Sequence, residues 1–220
     1  MLIKITFQLI ILIFSTVILR AQYFESIEKE AERILISLSE GDSLNPSNLI
    51  TLKNLLSSEI DDEVTKSYTD FNPRSIDSLK THLYEFESEI QNISTDSAFV
   101  LFNDWYLHFQ NIFYNYSKQK FFSSPKNKIL LFSTSMSCYC TMKMSRIQTT
   151  ELLKFVSDEP GKYDYWVIDS YWFNELQIKY ETLFAPSVLV FDGSNQLLYK
   201  IEYEEKMLTQ LTDHLDKVKN

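Results

Sequence analysis

The chain has 220 residues, of which 45% are hydrophobic and 23% charged, so it is long enough for one domain with a sizeable core. Its formal net charge of -9 disfavours nucleic acid and anionic membrane surfaces as main partners, because both repel a negatively charged protein. The chain has only 3 glycines and 5 prolines, which argues against long flexible linkers and against an all-β domain rich in tight turns.

The first 22 residues, MLIKITFQLIILIFSTVILRAQ, have the layout of a secretory signal peptide. Lys4 supplies a positive charge, the segment Phe7–Leu19 is almost purely apolar, and Ala21 is a small residue at a plausible cleavage site. The apolar run is short for a membrane span, which needs about 20 residues. We therefore predict a signal peptide over residues 1–21 and an exported protein, periplasmic or secreted. The alternative is an uncleaved segment that anchors the protein in a membrane.

Residues 23–120 are predicted to be helical, because apolar residues recur at helical spacing in four runs. The first run spans Phe24–Leu38, the second begins near Pro46, and the third spans Ile76–Ile90. The fourth, predicted over Asp96–Lys118, is rich in aromatic residues. We expect these aromatic side chains to form the core of a helical bundle or cap. A peptide-binding groove lined by the same side chains is the alternative.

The composition changes at the segment 123–125, Ser-Ser-Pro, after which apolar runs of strand length alternate with amphipathic segments. The predicted order from residue 125 to residue 220 is β-α-β-α-β-β-α, with a hairpin turn at the sequence DGSN. The predicted strands are Lys128–Ser133, Asp164–Ile168, Ser187–Phe191 and Gln196–Tyr203, and the predicted helices are Thr141–Val156, Trp172–Thr182 and Glu205–Val218.

Three features of this C-terminal segment point to one known fold. The strand KILLFS leads into a loop, TSMSCYC, whose cysteines open a helix. A second strand, DYWVI, is followed by Asp169 and a helix, and the segment FAPSVLVFDGSN carries Pro186 before a strand and a hairpin. In these features residues 125–220 resemble the thioredoxin superfamily, which places a cis-proline at that position. The resemblance implies an α/β fold: a thioredoxin-like C-terminal domain, with a central mixed sheet flanked by helices, preceded by an α-helical N-terminal region.

Cys138 and Cys140 are the two cysteines of the chain, and both lie at the predicted strand-to-helix turn. The free N–H groups and the positive dipole at the start of a helix stabilise a thiolate over a thiol, which creates a nucleophile. By resemblance, Cys138 and Cys140 are the candidate catalytic residues, while Ala185 and Pro186 would hold a substrate chain beside them. Tyr139, between the cysteines, is a further candidate for substrate binding.

The cysteine motif departs from the superfamily's usual C-x-x-C, because a single residue separates the two thiols. Either Cys138 replaces the usual nucleophile after a shift of one residue, or Ser137 occupies that place and Cys140 the resolving place. In the second case Cys138 is an extra thiol. A Cys138–Cys140 disulfide would close a ring of about eleven atoms, against about fourteen for C-x-x-C, which strains the bond and favours its reduction. Such a pair suits the oxidation of other thiols or the isomerisation of other disulfides better than the reduction of disulfides.

The sequence thus predicts an exported thiol-disulfide oxidoreductase or isomerase that acts on protein thiols and disulfides, with a redox partner protein and without cofactor or metal. One alternative is a non-catalytic thioredoxin-like binding module. Another is a Cu(I) carrier, because Met136, Met142 and Met144 place soft sulfur ligands beside the cysteines. A membrane is expected as a partner only if the N-terminal segment stays uncleaved. The histidines lie far apart in the sequence, in three separate predicted helices: His82, His108 and His214.

Overall fold

The computed structural model describes residues 25–60 and 73–218 of the chain. The predicted signal peptide over residues 1–21 lies outside the described residues, as does Phe24 at the start of the first predicted helix. Within the described ranges, no helix is both long enough and apolar enough to span a membrane.

The N-terminal part of the described chain is helical, as predicted. Helix α2 begins where the Asn45 side chain accepts the N–H of Ser47 at 3.0 Å, and Pro46 occupies its first turn. Ser94 caps helix α4 in the same way, because its hydroxyl accepts the N–H of Ser97 at 3.2 Å. The helices are α1 (25–39), α2 (Pro46–Glu59), α3 (Pro73–Glu89), α4 (Thr95–Ile112) and α5 (Tyr114–Ser123), with a 3-10 turn at Ile90–Asn92.

The single helix predicted over Asp96–Lys118 is two helices. The backbone of Phe113 leaves the helical region, with φ -106° and ψ 32°, and the chain restarts as α5. Phe113 itself is buried in the core, so the chain changes direction inside the core and not at the surface. The apolar periodicity of the sequence therefore continues across the break. That continuity explains why the sequence pattern predicted one uninterrupted helix.

The C-terminal part forms a four-stranded mixed sheet of β1 (Asn127–Ser133), β2 (Tyr163–Asp169), β3 (Ser187–Phe191) and β4 (Leu197–Glu202), in the order β2-β1-β3-β4. Strand β1 is parallel to β2 and antiparallel to β3, and β3 is antiparallel to β4. The predicted order of strands and helices is confirmed, and so is the architecture of a central mixed sheet flanked by helices. The helices of this part are α6 (Tyr139–Asp158), α7 (Glu175–Lys179) and α8 (Met207–Val218).

Helix α7 is much shorter than the helix predicted over Trp172–Thr182. The N–H groups of Trp172 and Phe173 both donate to the Asp169 carbonyl, at 3.2 and 3.0 Å, which closes a turn before the helix begins. The segment ends at Glu181, whose φ of 52° is outside the helical region. The turn before the helix and the left-handed residue after it therefore restrict the helix to five residues.

Alternate residues of the strands face two separate apolar clusters, as a period of two requires. Ile129 and Leu131 of β1 pack in the larger cluster, which also contains side chains of α1 to α4, α6 and α8. Leu130 and Phe132 face the other side of the sheet, where Tyr114, Phe121 and Leu176 cover them. The N-terminal helices therefore share a core with the sheet.

The register of the sheet brings three loops to one edge. Phe132 of β1 lies opposite Ser187 of β3, and Ser133 lies opposite Asp169 of β2. The loop that follows β1, the turn that follows β2 and the segment that precedes β3 therefore meet at the end of the sheet where the cysteines lie.

Candidate active site

The two cysteines lie at the start of α6. Cys138 is the N-cap residue, with an extended backbone at φ -64° and ψ 154°, and its carbonyl accepts the N–H of Met142 at 3.0 Å. Cys140 follows in the first turn of the helix. Both thiols are free and exposed, and their Sγ atoms are 2.8 Å apart. Two sulfur atoms are thus presented to solvent at a helix N-terminus.

The surroundings of Cys138 stabilise its thiolate. The Cys140 thiol makes the largest contribution, followed by the Thr141 hydroxyl, which lies 3.1 Å from the Cys138 sulfur. Backbone N–H groups of Thr141 and Cys140 act in the same direction, and together these groups lower the pKa of Cys138 to about 7. At neutral pH roughly half of the molecules therefore carry Cys138 as a thiolate. The Cys140 thiol serves as a hydrogen-bond donor to that thiolate.

The loop between β1 and Cys138 is held by two side chains. Thr134 Oγ1 donates to the Met136 carbonyl at 3.0 Å and accepts the Met136 N–H at 3.3 Å. The buried Asp169 carboxylate accepts the N–H of Ser135 at 3.2 Å and that of Tyr171 at 3.1 Å. Asp169 therefore joins the cysteine loop to the turn that follows β2.

The third loop at this edge contains the cis peptide bond Ala185–Pro186, where the resemblance placed a cis-proline. Pro186 is buried and Ala185 is half-buried, while Leu183 and Phe184 just before them are exposed. The Pro186 carbonyl accepts the N–H of Tyr203 at 3.0 Å. This bond ties the proline loop to the residue that follows β4.

Tyr203 links the proline loop to the cysteines. Its phenol oxygen lies 3.3 Å from Thr141 Oγ1, which in turn lies 3.1 Å from the Cys138 sulfur. When the Thr141 hydroxyl donates to the thiolate, its lone pairs remain free to accept the Tyr203 hydroxyl. The backbone of Tyr203 has φ 47°, a left-handed conformation that aims the ring back toward α6 and Phe184. A continuous chain of contacts thus runs from Pro186 to Cys138.

Two residues of the site, Thr141 and Tyr203, were not predicted from the sequence. The position of Thr141 was available from the sequence, because a residue three places after an N-cap lies next to the cap side chain. Tyr203 was assigned to the end of a strand, whereas β4 ends at Glu202 and Tyr203 turns away from it. No sequence pattern indicated that turn.

Large apolar side chains are exposed on the segments that surround the sulfur atoms. They come from the cysteine loop, from the turn after Asp169 and from the residues before Pro186. An exposed apolar surface of this kind is typical of a site that binds another chain. Each of the following side chains is more than half exposed: Met136, Tyr139, Trp172, Leu183 and Phe184.

The soft ligands of the predicted copper alternative are spread over different environments. Met136 is exposed beside the cysteines, while Met142 and Met144 are half-buried on α6. Across residues 25–60 and 73–218, no group of three or more His, Cys, Asp and Glu side chains could hold a metal ion.

Two histidines that are distant in sequence do come together: the rings of His82 and His108 lie 6.1 Å apart.

Comparison with known proteins finds solved structures that are similar to part of the chain. No protein-family model matches the chain, and no curated protein sequence matches it. Mitochondrial thioredoxin 3 from Saccharomyces cerevisiae, in its oxidised form, is 12% identical with a TM-score of 0.38, over 46% of this chain and 89% of that one. The thioredoxin Deadhead from Drosophila melanogaster is 20% identical with a TM-score of 0.38, over 46% and 92%.

A DsbH oxidoreductase structure is also similar, with 18% identity and a TM-score of 0.33, over 46% of this chain and 78% of that one. These identities and scores are low, so the fold is assigned from the strand order, the strand directions and the cis-proline before β3. The C-terminal part of this chain has a thioredoxin-like fold. The cysteines open the first helix of that thioredoxin-like part, and the N-terminal helices pack against both faces of its sheet, α1 to α4 on one face and α5 on the other.

Proposed function

We propose that this protein is a thiol-disulfide oxidoreductase or isomerase that acts on protein disulfides through Cys138 and Cys140. The observation that supports the proposal is the pair of exposed sulfur atoms 2.8 Å apart at a helix N-terminus, with the pKa of Cys138 lowered to about 7. A thiolate at neutral pH is the form that attacks a disulfide.

Cys138 is the attacking residue in this proposal. It is the N-cap of α6 and accepts hydrogen bonds from its neighbours, whereas Ser137 precedes the cap. The Cys138 thiolate attacks one sulfur of a substrate disulfide, a bond between the two sulfurs forms, and the substrate S–S bond breaks. The leaving sulfur departs as a thiolate and takes a proton from solvent.

Two routes then resolve the mixed disulfide. Cys140, after losing its proton to solvent, attacks the Cys138 sulfur, which forms the Cys138–Cys140 disulfide and releases the second substrate thiol. Alternatively, another substrate thiolate attacks the mixed disulfide, which forms a new substrate disulfide and returns Cys138 as a thiolate. The small ring of a C-x-C disulfide disfavours the first route, so the second route, isomerisation, is favoured. Tyr139, Ala185 and Pro186 would contact the substrate chain.

The exported location is part of the same proposal. Isomerisation needs substrates that carry disulfides, and disulfides persist in an oxidising compartment. A redox partner protein would return the pair to the thiol form whenever the Cys138–Cys140 disulfide does form. Expression of the full chain in a secreting host, followed by mass spectrometry of the exported protein, tests it. Loss of residues 1–21 is expected, and retention of those residues in a membrane fraction would instead indicate an anchor.

The catalytic proposal is tested by the refolding of scrambled ribonuclease and by the reduction of insulin, using the wild-type protein, Cys138→Ser and Cys140→Ser. Cys138→Ser is expected to reduce both activities to the level of the buffer control. Cys140→Ser is expected to retain isomerisation and to lose reduction, because only reduction needs the resolving thiol. Ser137→Ala is the control and is expected to remain active. Wild-type activity in both cysteine variants would remove the catalytic claim for Cys138 and Cys140, and a wild-type protein without activity would leave the non-catalytic binding module as the function.

A further inference from the structure

A cleft of about 740 Å³ lies between the N-terminal helices and the cysteine loop. Helices α3 and α4 form one wall, and Ser135, Asp169, Trp172 and Phe173 form the other. Its volume is in the range of about 300–1,000 Å³ that is typical of binding pockets. The cleft is distinct from the cis-proline loop, because none of its lining residues comes from the segment before β3.

The cleft is lined by a residue that lies close to the cysteines along the chain. Ser135 precedes Cys138 by three residues, and three residues span at most about 11 Å of chain. The two walls are joined next to this point, because Asn111 of α4 accepts the N–H of Asp169 at 3.2 Å and Arg146 of α6 lies 3.4 Å from Asp104 of α4. A polypeptide segment seated in the cleft would therefore bring a neighbouring residue to the cysteines.

The lining combines an apolar floor with acidic edges. Phe86, Trp105 and Ile112 form part of the floor, and the exposed Trp172 stands at the rim. Glu85 and Glu89 are exposed and lie one turn apart on α3.

Arg146 lies 3.4 Å from the lining residue Asp104, but among the described residues Glu85 and Glu89 form no ion pair. Within the described ranges, the lining contains no lysine or arginine. His108 does not supply a fixed positive charge either, because burial and the nearby His82 lower its pKa. The cleft therefore presents apolar surface and negative charge together.

We propose that this cleft binds a segment of the substrate polypeptide that carries basic and apolar side chains near its cysteine. The inference rests on the proposed function for the identity of the partner as a disulfide substrate. Apolar side chains would cover the aromatic floor, and lysine or arginine side chains would pair with Glu85 and Glu89. The N-terminal helices would thereby select which disulfides reach Cys138.

Binding is measured first with a chain that cannot perform thiol chemistry, Cys138→Ser/Cys140→Ser. Two cysteine-free peptides with the same aromatic and aliphatic residues are titrated, one with two lysines and one with two glutamates in their place. Fluorescence reports binding, because Trp105 and Trp172 line the cleft. The basic peptide is expected to bind about tenfold more tightly, with a preference that weakens as salt is added.

The decisive variant is Glu85→Gln/Glu89→Gln in the same background, which is expected to lose that tenfold preference. Asp77→Asn/Asp158→Asn is the matched control, because it removes the same charge from exposed positions outside the cleft. Equal binding of the two peptides, or an unchanged preference in Glu85→Gln/Glu89→Gln, would overturn the inference.

A second arm separates the inference from the proposed function. The intact protein acts on disulfide-linked versions of the two peptides, and KM and kcat are measured separately. A lower KM for the basic peptide with equal kcat is expected. Turnover without any charge preference would overturn the inference alone, whereas selective binding without turnover would overturn the proposed function and leave the cleft as a binding surface.

Discussion

The chemistry of the site depends on the few atoms that touch the Cys138 sulfur. Exposure leaves this thiolate well hydrated, so its low pKa comes from directed hydrogen bonds and not from a buried cation. Each donor can therefore be removed singly without leaving an unpaired charge in the core. Single substitutions of the residues around Cys138 are thus the most direct tests of the site.

Thr141→Val removes the hydroxyl that lies 3.1 Å from the Cys138 sulfur while keeping the size of the side chain. The pKa of Cys138 is expected to rise from about 7 toward its ordinary value of 9.0. A rise of one pKa unit lowers the thiolate fraction at neutral pH by about fivefold, and the rate of alkylation by iodoacetamide falls with it. The pH dependence of thiolate absorbance measures the change. Thr141→Ser retains the hydroxyl, so a slow Thr141→Ser protein would contradict this account.

Tyr203→Phe is expected to have a smaller effect in the same direction. The phenol reaches Cys138 only through Thr141, so it acts as a positioning residue. Its removal should raise the pKa of Cys138 in the wild-type background and leave it unchanged in the Thr141→Val background. Alkylation rates of the two single variants and the double variant measure this coupling. Additive effects would show that Tyr203 acts by a separate route.

Part of the site could be predicted from the sequence, for a physical reason. Cys138, Cys140 and Pro186 belong to short local patterns, in which the position along the chain determines the place in the fold. The contact between Tyr203 and Thr141 joins residues separated by 62 positions and depends on a left-handed backbone at Tyr203. Such a contact depends on how two elements pack against each other, and this packing cannot be predicted from a local sequence pattern.

Among the elements, the β3–β4 hairpin shows how closely the C-terminal part is packed. The Asp192 carboxylate accepts the N–H groups of Ser194 and Gln196 at 2.8 and 2.9 Å and closes the turn. The backbone of Gly193 lies directly against the segment before β1, where a Cβ atom would come within 2.1 Å of the Pro125 carbonyl oxygen. The buried Lys128 ammonium donates to the Ser124 and Gly193 carbonyls, at 2.7 and 3.5 Å, at the same point.

Gly193→Ala is therefore expected to destabilise the protein by about 1–3 kcal/mol, because backbone and not a flexible side chain would have to move. Thermal unfolding measures the change. The exposed neighbour provides the control, since Ser194→Ala is expected to change stability by less than about 1 kcal/mol. A Gly193→Ala protein as stable as the wild type would mean that the turn can shift away from Pro125.

The accuracy of the predicted elements follows from their burial. Strand β3 is buried on both faces, and its bounds were predicted without error from the apolar run SVLVF. Helix α7 was predicted too long, because its apolar residues Trp172 and Ile178 are exposed and do not mark a core face. Apolar periodicity predicts an element well where the apolar side chains are buried by it, and poorly where they remain on the surface.

On the scale of the whole molecule, two half-buried acids of α1 join it to its surroundings, Glu28 to another N-terminal helix and Glu32 to the sheet. Tyr165 of β2 donates to Glu32 of α1, and Lys120 of α5 lies 3.4 Å from Glu28. Burial raises the pKa of Glu32 to about 8, and the nearby Glu28 acts in the same direction, while Tyr165, Lys120 and Lys29 oppose them. This interface therefore holds a carboxyl group that is mostly protonated at neutral pH.

The stability of the protein should depend on pH through Glu32. The folded carboxyl binds its proton more tightly than the unfolded one, whose ordinary pKa is 4.5, so stability is expected to fall as pH rises from about 4.5 to about 8. Glu32→Gln should flatten this dependence and make the protein more stable than the wild type in mildly alkaline buffer. Urea unfolding at a series of pH values measures it. Asp158→Asn, an exposed control, should retain the wild-type slope, and an equal slope in Glu32→Gln would contradict the assignment.

Whether the N-terminal helices pack on the sheet could not be predicted from the sequence. Their apolar stripes predicted that each helix buries one face, but not what that face meets. The contacts that settle it, such as Tyr165 with Glu32 and Lys118 with Glu175, join residues 133 and 57 positions apart. They follow from the fold as a whole.

A single apolar cluster extends from Ile27 in the first described helix, through one face of the sheet, to Leu215 in the last. Because the N-terminal and C-terminal parts share this core, they should not unfold separately. Heat should therefore unfold the protein in one cooperative transition. The two halves are consequently not interchangeable modules. A fragment that begins at residue 125 would carry the cysteines but would expose the sheet residues that α1 to α5 bury. Joining either part to another protein would therefore require a new surface designed to cover those residues.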